Sequence, residues 1–244
     1  MSPPADAVGP LRRLLAAVDR KAATLAADLH PAWIDAAWAR LGPRAGDWAA
    51  RLPPRRHSAL LADAYGLAWP PLEAFREPAH RLALLDRDRL LRVLAACALE
   101  GRRDSVRRSV GRMVRQLLIE GIGESAYRKV LDSPAPGVQV SGPLDAREAG
   151  QDRLAEEGFR ILCGQAAWRH PTLLTLVRLS LAPSASADQP ADDRPCALAT
   201  NGVDGTIDRL HEYFPELVWL FGSDMDRALS ASRTASSAPA TSRS

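Results

Sequence analysis

A chain of 244 residues with 46% hydrophobic and 25% charged residues has the composition of a folded protein, and is long enough for one large or two small domains with a sizeable core. Lys and Arg outnumber Asp and Glu by only 32 to 29, a net charge of +3, so global electrostatics do not dictate a nucleic-acid partner and only local patches could argue for one. Cys97, Cys163 and Cys196 are odd in number, far apart and without a CxxC pair, and no run approaches the roughly 18 apolar residues of a membrane span. These features argue against a disulfide framework, a zinc knuckle and a spanning helix. The N-terminal "MSPPADAVGPLRRLLAAVDRK" lacks the uncharged apolar core of a signal peptide, which leads us to expect a cytoplasmic protein with reduced thiols.

Residues 1–9 are Pro-containing and expected to be flexible. Leu11, Leu15, Val18, Ala22, Leu25 and Leu29 then recur in steps of four and three, a helical seam that stops at Pro31. Trp33, Ile34, Ala37, Trp38 and Leu41 resume the helical spacing, with Gly42-Pro43 as the end signal. Further helices are predicted at 58–66, 86–100 with Gly101 as cap, 104–120, 123–132 and 145–168. Together they give a helical body over 10–182, with a possible sub-division at 133–143. There "SPAPGVQVSGP" is rich in turn formers, and Val138-Gln139-Val140 allows at most a short strand. Small, acidic and Pro residues at 183–205 predict a loop or linker, 206–229 a C-terminal helical element, and the low-complexity 230–244 a disordered tail. The fold class is mainly α: an irregular multi-helix bundle with at most a minor β element and disordered termini.

The sharpest local motif is "EGIGESAY", Glu120 to Tyr127. Helix-hairpin-helix modules use a Gly-hydrophobic-Gly turn to aim backbone N–H groups at a phosphate. Those modules place a small residue four positions after the second glycine, and this chain has Tyr127 there. The alternative is a tight interhelical corner in which Gly121 and Gly123 serve backbone geometry alone. Upstream, on a helical wheel of "RRDSVRRSVGRMVRQLL", Val106, Val110, Met113, Val114 and Leu117 cluster on one side and Arg107, Arg108, Arg112 and Arg115 on the adjoining one. That stripe is either a solvated face or a docking surface. An acidic protein is the favoured partner, because no aromatic residues interleave with the arginines as single-stranded nucleic-acid platforms require.

Catalytic signatures are wanting: there is no GxSxG, GxxxxGK[ST] or HExxH. Glu77–His80 and Asp208–His211 have the i, i+3 carboxylate and imidazole spacing of bridged metal sites, but lack the further acidic ligands such sites need. No enzyme activity, cofactor or metal is therefore expected. Six tryptophans, Trp33, Trp38, Trp48, Trp69, Trp168 and Trp219, stand beside three Tyr and four Phe. Core packing is the ordinary fate of each, and Trp33 and Trp38 in "LHPAWIDAAW" are the candidates for interface anchors.

An N-terminal helix leading into "LHPAWI", a central "RQLLIEGIGESAYRKVL", then "AEEGFRILCGQ", "HPTLLTLVRLSL" and a short apolar C-terminal helix together resemble SctK. This is the YscK/PscK-type accessory component of bacterial type III secretion systems. The resemblance spans about residues 10 to 225 by order of features. It implies a non-enzymatic cytoplasmic adaptor of the sorting platform, peripheral to the inner membrane through its partners. It also implies that the chain links the cytoplasmic domain of the inner-membrane ring protein SctD to the SctQ/SctL pods. Two other readings stay open on the residues: a helix-hairpin-helix nucleic-acid-binding protein using Gly121, Ile122 and Gly123 with the Arg107 to Arg115 face, and a cytoplasmic secretion chaperone or regulator with an apolar groove.

Overall fold

Helix α1 spans Ala5–Asp28 and buries Leu14, Ala17, Lys21, Leu25 and Asp28. The seam expected from hydrophobicity is rotated away from the observed one, and Leu15 stands 45% exposed. The reason is a buried ion pair that no apolar pattern flags: Lys21 Nζ lies 2.9 Å from Asp28 and donates to the Leu85 carbonyl at 2.5 Å. Burial pulls the Lys21 ammonium pKa down while Asp28 pulls it back up. The helix also starts inside the segment expected to be flexible. Pro10 lies inside the helix, in its second turn, where its ring removes one donor from the ladder.

The computed structural model describes residues 5–42, 44–109, 111–133, 143–164, 170–183, 207 and 209–236. After α1 come α2 (Pro31–Leu41), α3 (Ala45–Ala49) and α4 (Pro54–Ala64), then two 3-10 turns at Leu72–Arg76 and Pro78–Leu84. α5 (Arg87–Gly101), α6 (Arg103–Arg108), α7 (Arg112–Ile122), α8 (Glu124–Asp132), α9 (Gln151–Cys163) and α10 (Pro171–Ser180) complete the body. The C-terminal part holds α11 (Leu210–Tyr213), a 3-10 turn at Pro215–Leu217, α12 (Val218–Phe221) and α13 (Ser223–Ser236). Among the described residues there is no strand; the short strand expected at Val138–Val140 lies outside them.

α5 is the axis of the molecule. Asp86 caps it by accepting the Arg89 amide at 2.9 Å, and Leu90, Leu91 and Val93 through Gly101 are buried. Its most extensive partner is α9, which contributes Leu154, Ala155, Phe159 and Leu162 to the interface side. Gly158 lets the two backbones touch: a Cβ there would lie 1.9 Å from the Leu94 carbonyl oxygen. α7, α8 and α10 pack on the rest of α5, while α4 and α13 pack on α1. One apolar cluster runs from Leu14 to Leu229, so helices on both sides of 133–143 share a core.

Buried polar ties hold the C-terminal part to the body. Arg81, fully buried, donates to the carbonyls of Phe75 (2.8 Å) and Leu220 (2.9 Å) and pairs with Asp226 at 2.5 Å. Glu100, buried in α5, accepts from Ser133 Oγ and Tyr213 Oη, each at 2.8 Å. Burial and that bond to the carboxylate push the Tyr213 phenol well above its ordinary pKa. α13 continues to Ser236, into the stretch expected to be disordered. Met225, Ala228 and Leu229 are buried on a helix that packs against α1, and the Ala/Ser-rich continuation is compatible with helix.

Candidate interaction surface

The arginine stripe read from the sequence as one helical face is split in two. Helix stops at Arg108, Ser109 takes an extended conformation, and α7 begins at Arg112 with Gly111 as its cap. The Ser109 hydroxyl fixes the break by donating to the Ser105 carbonyl (2.7 Å) and accepting the Leu144 amide (2.8 Å). The expected helix over 104–120 is therefore corrected to two helices. The single wheel was misleading because a local side-chain bond competes with the backbone ladder there.

Its arginines accordingly do different things. Arg102 reaches Glu148 at 3.3 Å and Glu157 at 3.1 Å, and Arg103, buried, donates to the Ser133 carbonyl at 2.8 Å. Arg107 donates through Nε and Nη2 to the Leu131 carbonyl, satisfying the C-terminal turn of α8. Arg108, Arg112 and Arg115 are exposed, and among the described residues Arg108 bonds within its own helix, to the Asp104 carbonyl at 3.1 Å. Beside them Met113 is 65% exposed. The first turn of α7 carries no carboxylate, and among the described residues no ion pair neutralises Arg112 at the positive end of the helix dipole. Exposed arginines, with an exposed methionine in the same short stretch of chain, offer charge and apolar area to an acidic protein surface.

Gly121 lies inside the last turn of α7, with ordinary clearance of 3.6 Å from a Cβ to Gln151. Gly123 alone makes the corner, ending α7 and starting α8 at φ 87°. Its amide donates to the Ile119 carbonyl at 2.8 Å, so it is engaged and does not point at a phosphate. Tyr127 is buried in the core.

The two tryptophans nominated as anchors both make contacts within the chain. Trp33 donates its indole N–H to the Leu181 carbonyl at 2.9 Å and meets Tyr65 edge-on. Trp38 is 5% exposed and stacks on His57 at 5.3 Å. Their helical spacing marks a core face as readily as an anchor. Among the described residues the exposed tryptophan is Trp48, at 53%, and the signal for it was local: a helix of five residues has little interior to offer.

Chemistry-bearing groups are similarly absorbed. Burial, with Glu100 adding to it, pushes the Cys97 thiol up to about 12, away from thiolate reactivity. His80 is buried with Nδ1 2.6 Å from the Ala74 carbonyl, His30 accepts the Ala32 amide as the cap of α2, and Asp208 and Cys196 lie outside the described residues. Among the described residues no group of three or more His, Cys, Asp or Glu is placed to hold a metal, and no helix is long and apolar enough to cross a membrane.

The family model described as Bacterial type III secretion protein (HrpB4) matches residues 15–216. The chain belongs to that family. HrpB4 is the SctK family, so the resemblance read from the ordered sequence features and the family match agree. Neither the curated proteins nor the solved structures contain a match to this chain. On the HrpB4 fold seen here the match covers α1 from its third turn to the 3-10 turn at Pro215, and so includes both α6 and α7 with their exposed arginines.

Proposed function

We propose that this HrpB4-family protein is a non-enzymatic adaptor of the type III secretion sorting platform, working at the cytoplasmic side of the inner membrane. It links the cytoplasmic domain of the ring protein SctD to the SctQ/SctL pods, and one of these partners docks through an acidic surface on Arg108, Arg112, Met113 and Arg115. The observation that carries the reading is that patch. Three exposed arginines lie on the two sides of a helix break, next in the chain to an exposed methionine. Family membership supplies the secretion context.

The experiment is co-purification of the full chain with the SctD cytoplasmic domain and with SctQ/SctL, comparing wild type with Arg108→Glu/Arg112→Glu. Charge reversal should abolish one of the two complexes while changing stability by no more than about 0.5 kcal/mol, the usual range for surface substitutions. Retention of both complexes would put the interface elsewhere. A large fall in melting temperature would assign these arginines to the fold.

A further inference from the structure

A second surface lies on different helices. Residues 40–42 and 44–56 form a corner from the end of α2, through α3, into the first turn of α4. Leu41 is 63% and Trp48 53% exposed, whereas Ala49 beside Trp48 is buried and turns the indole outward. Arg40, Arg44, Arg51, Arg55 and Arg56 are all exposed. Asp47 is the one carboxylate in the stretch, so this corner carries five cations against one anion in a chain whose whole net charge is only +3. Among the described residues none of the five arginines enters an ion pair. Arg40 stacks over the Tyr65 ring at 5.5 Å, which leaves its charge uncompensated. The first turn of α4 has Arg55 and Arg56 and no acidic residue, contrary to what the helix dipole favours.

The corner is held rather than loose. The Trp38–His57 stack joins α2 to α4, Tyr65 Oη donates to the Trp33 carbonyl, and Pro53 and Pro54 stiffen the entry to α4. Ordering it on binding therefore costs little. It belongs to α2–α4, of which α2 packs on α3 and α4 and α4 packs on α1, whereas Arg108 to Arg115 belong to α6 and α7, which pack on α5, α8 and α9.

We propose that this corner docks an acidic segment of a partner protein carrying an apolar side chain, with carboxylates on Arg44, Arg51, Arg55 and Arg56 and the apolar group against Trp48 and Leu41. Tryptophan and arginine are the residue types most enriched at protein interface hot spots, and arginine matches carboxylates in bidentate fashion. A lipid surface fits less well. The apolar component is two side chains at the ends of short helices, not a stripe along one helix that could enter the headgroup layer. Single-stranded nucleic acid would need several aromatic platforms, and Trp48 is the one exposed here.

The test places the photo-crosslinker p-benzoylphenylalanine at position 48 of the full chain in the bacterium that encodes it, with position 73, exposed Glu73, as control. The linked material is identified by mass spectrometry. The expected product joins position 48 to a segment of another protein in which Asp and Glu exceed Lys and Arg. Its yield should fall by about tenfold in Arg44→Glu/Arg51→Glu and be largely kept in Arg44→Lys/Arg51→Lys. Arg44→Gln/Arg51→Gln carries the same expected loss if the reversed pair fails to accumulate. An adduct on lipid, on nucleic acid, on a second copy of this chain or on a segment without acidic surplus would overturn the proposal. So would a yield at 48 no higher than at 73, or one indifferent to the charge changes.

Discussion

α5 with α9 and α6 with α7 are neighbouring pieces of the same bundle, and they differ in what a side chain is for. Along α5 nearly every position from Leu90 to Gly101 is buried, and the approach of α9 is so close that one missing Cβ, at Gly158, sets the distance. Along α6 and α7 burial is partial: Val106, Leu118 and Ile122 face inward, while Arg108, Arg112, Met113 and Arg115 face water. In the first region identity is constrained by volume, in the second by charge and by hydrogen bonds at helix ends. The core region should therefore answer to substitutions through stability, and the outer region through binding.

The largest effect is expected at Gly158→Ala. A Cβ 1.9 Å from the Leu94 carbonyl oxygen and 2.7 Å from its carbon cannot be accommodated by moving a flexible side chain, because backbone stands in the way. α9 must shift off α5, with a cost of about 4 kcal/mol or more, at the exceptional end for single substitutions. Urea unfolding monitored by circular dichroism measures it. A midpoint near wild type would mean that the two helices are not in backbone contact.

The helical character of both regions was legible in the sequence, for reasons that differ by element. The stop at Pro31, the end at Gly42 and the helices now seen at Arg87–Gly101 and Glu124–Asp132 follow from backbone chemistry that acts locally. What was not legible depends on distant partners. The seam of α1 is displaced because Lys21 finds Asp28 and the Leu85 carbonyl, and Arg81 is buried because Phe75, Leu220 and Asp226 converge on it. The 3-10 turns at 72–84 show no clean period, so hydrophobic spacing missed them. Of the candidate site, the arginines were visible as a charge run. Their division into capping and exposed groups was not, since it turns on Ser109 breaking the helix and on the Leu131 carbonyl lying within reach of Arg107.

An intermediate effect is expected at the corner between the two kinds of region. Gly123 has φ 87° and ψ 149°, a conformation that only glycine adopts without strain, yet a Cβ there would meet nothing within 4 Å. Gly123→Val should therefore destabilise by strain alone, about 1 to 3 kcal/mol, with no added clash term. Thermal unfolding gives the shift, and duplex-DNA affinity measured on the same samples sharpens its meaning. Strong, salt-sensitive DNA binding by the wild type that the variant loses at an unchanged midpoint would reverse the assignment of this glycine to backbone geometry.

The smallest effects should come from two arginines that sequence alone could not tell apart. Arg107 and Arg112 are both exposed, but Arg107 donates twice to the Leu131 carbonyl at the end of α8, and no side-chain bond or ion pair engages Arg112 among the described residues. Arg107→Ala removes a cap from an exposed helix end, where water replaces much of what is lost, and should cost about 0.5 to 1.5 kcal/mol. Arg112→Ala takes a cation from the positive end of α7 and should leave stability within about 0.5 kcal/mol of wild type, with the dipole contribution favourable. Their binding effects should run in the opposite order, with the Arg112 variant losing more of the acidic partner than the Arg107 variant. Calorimetric unfolding paired with partner titration at low and high salt reads both quantities. Equal stability losses for the two would erase the distinction between capping and docking arginines on which the division of this surface rests.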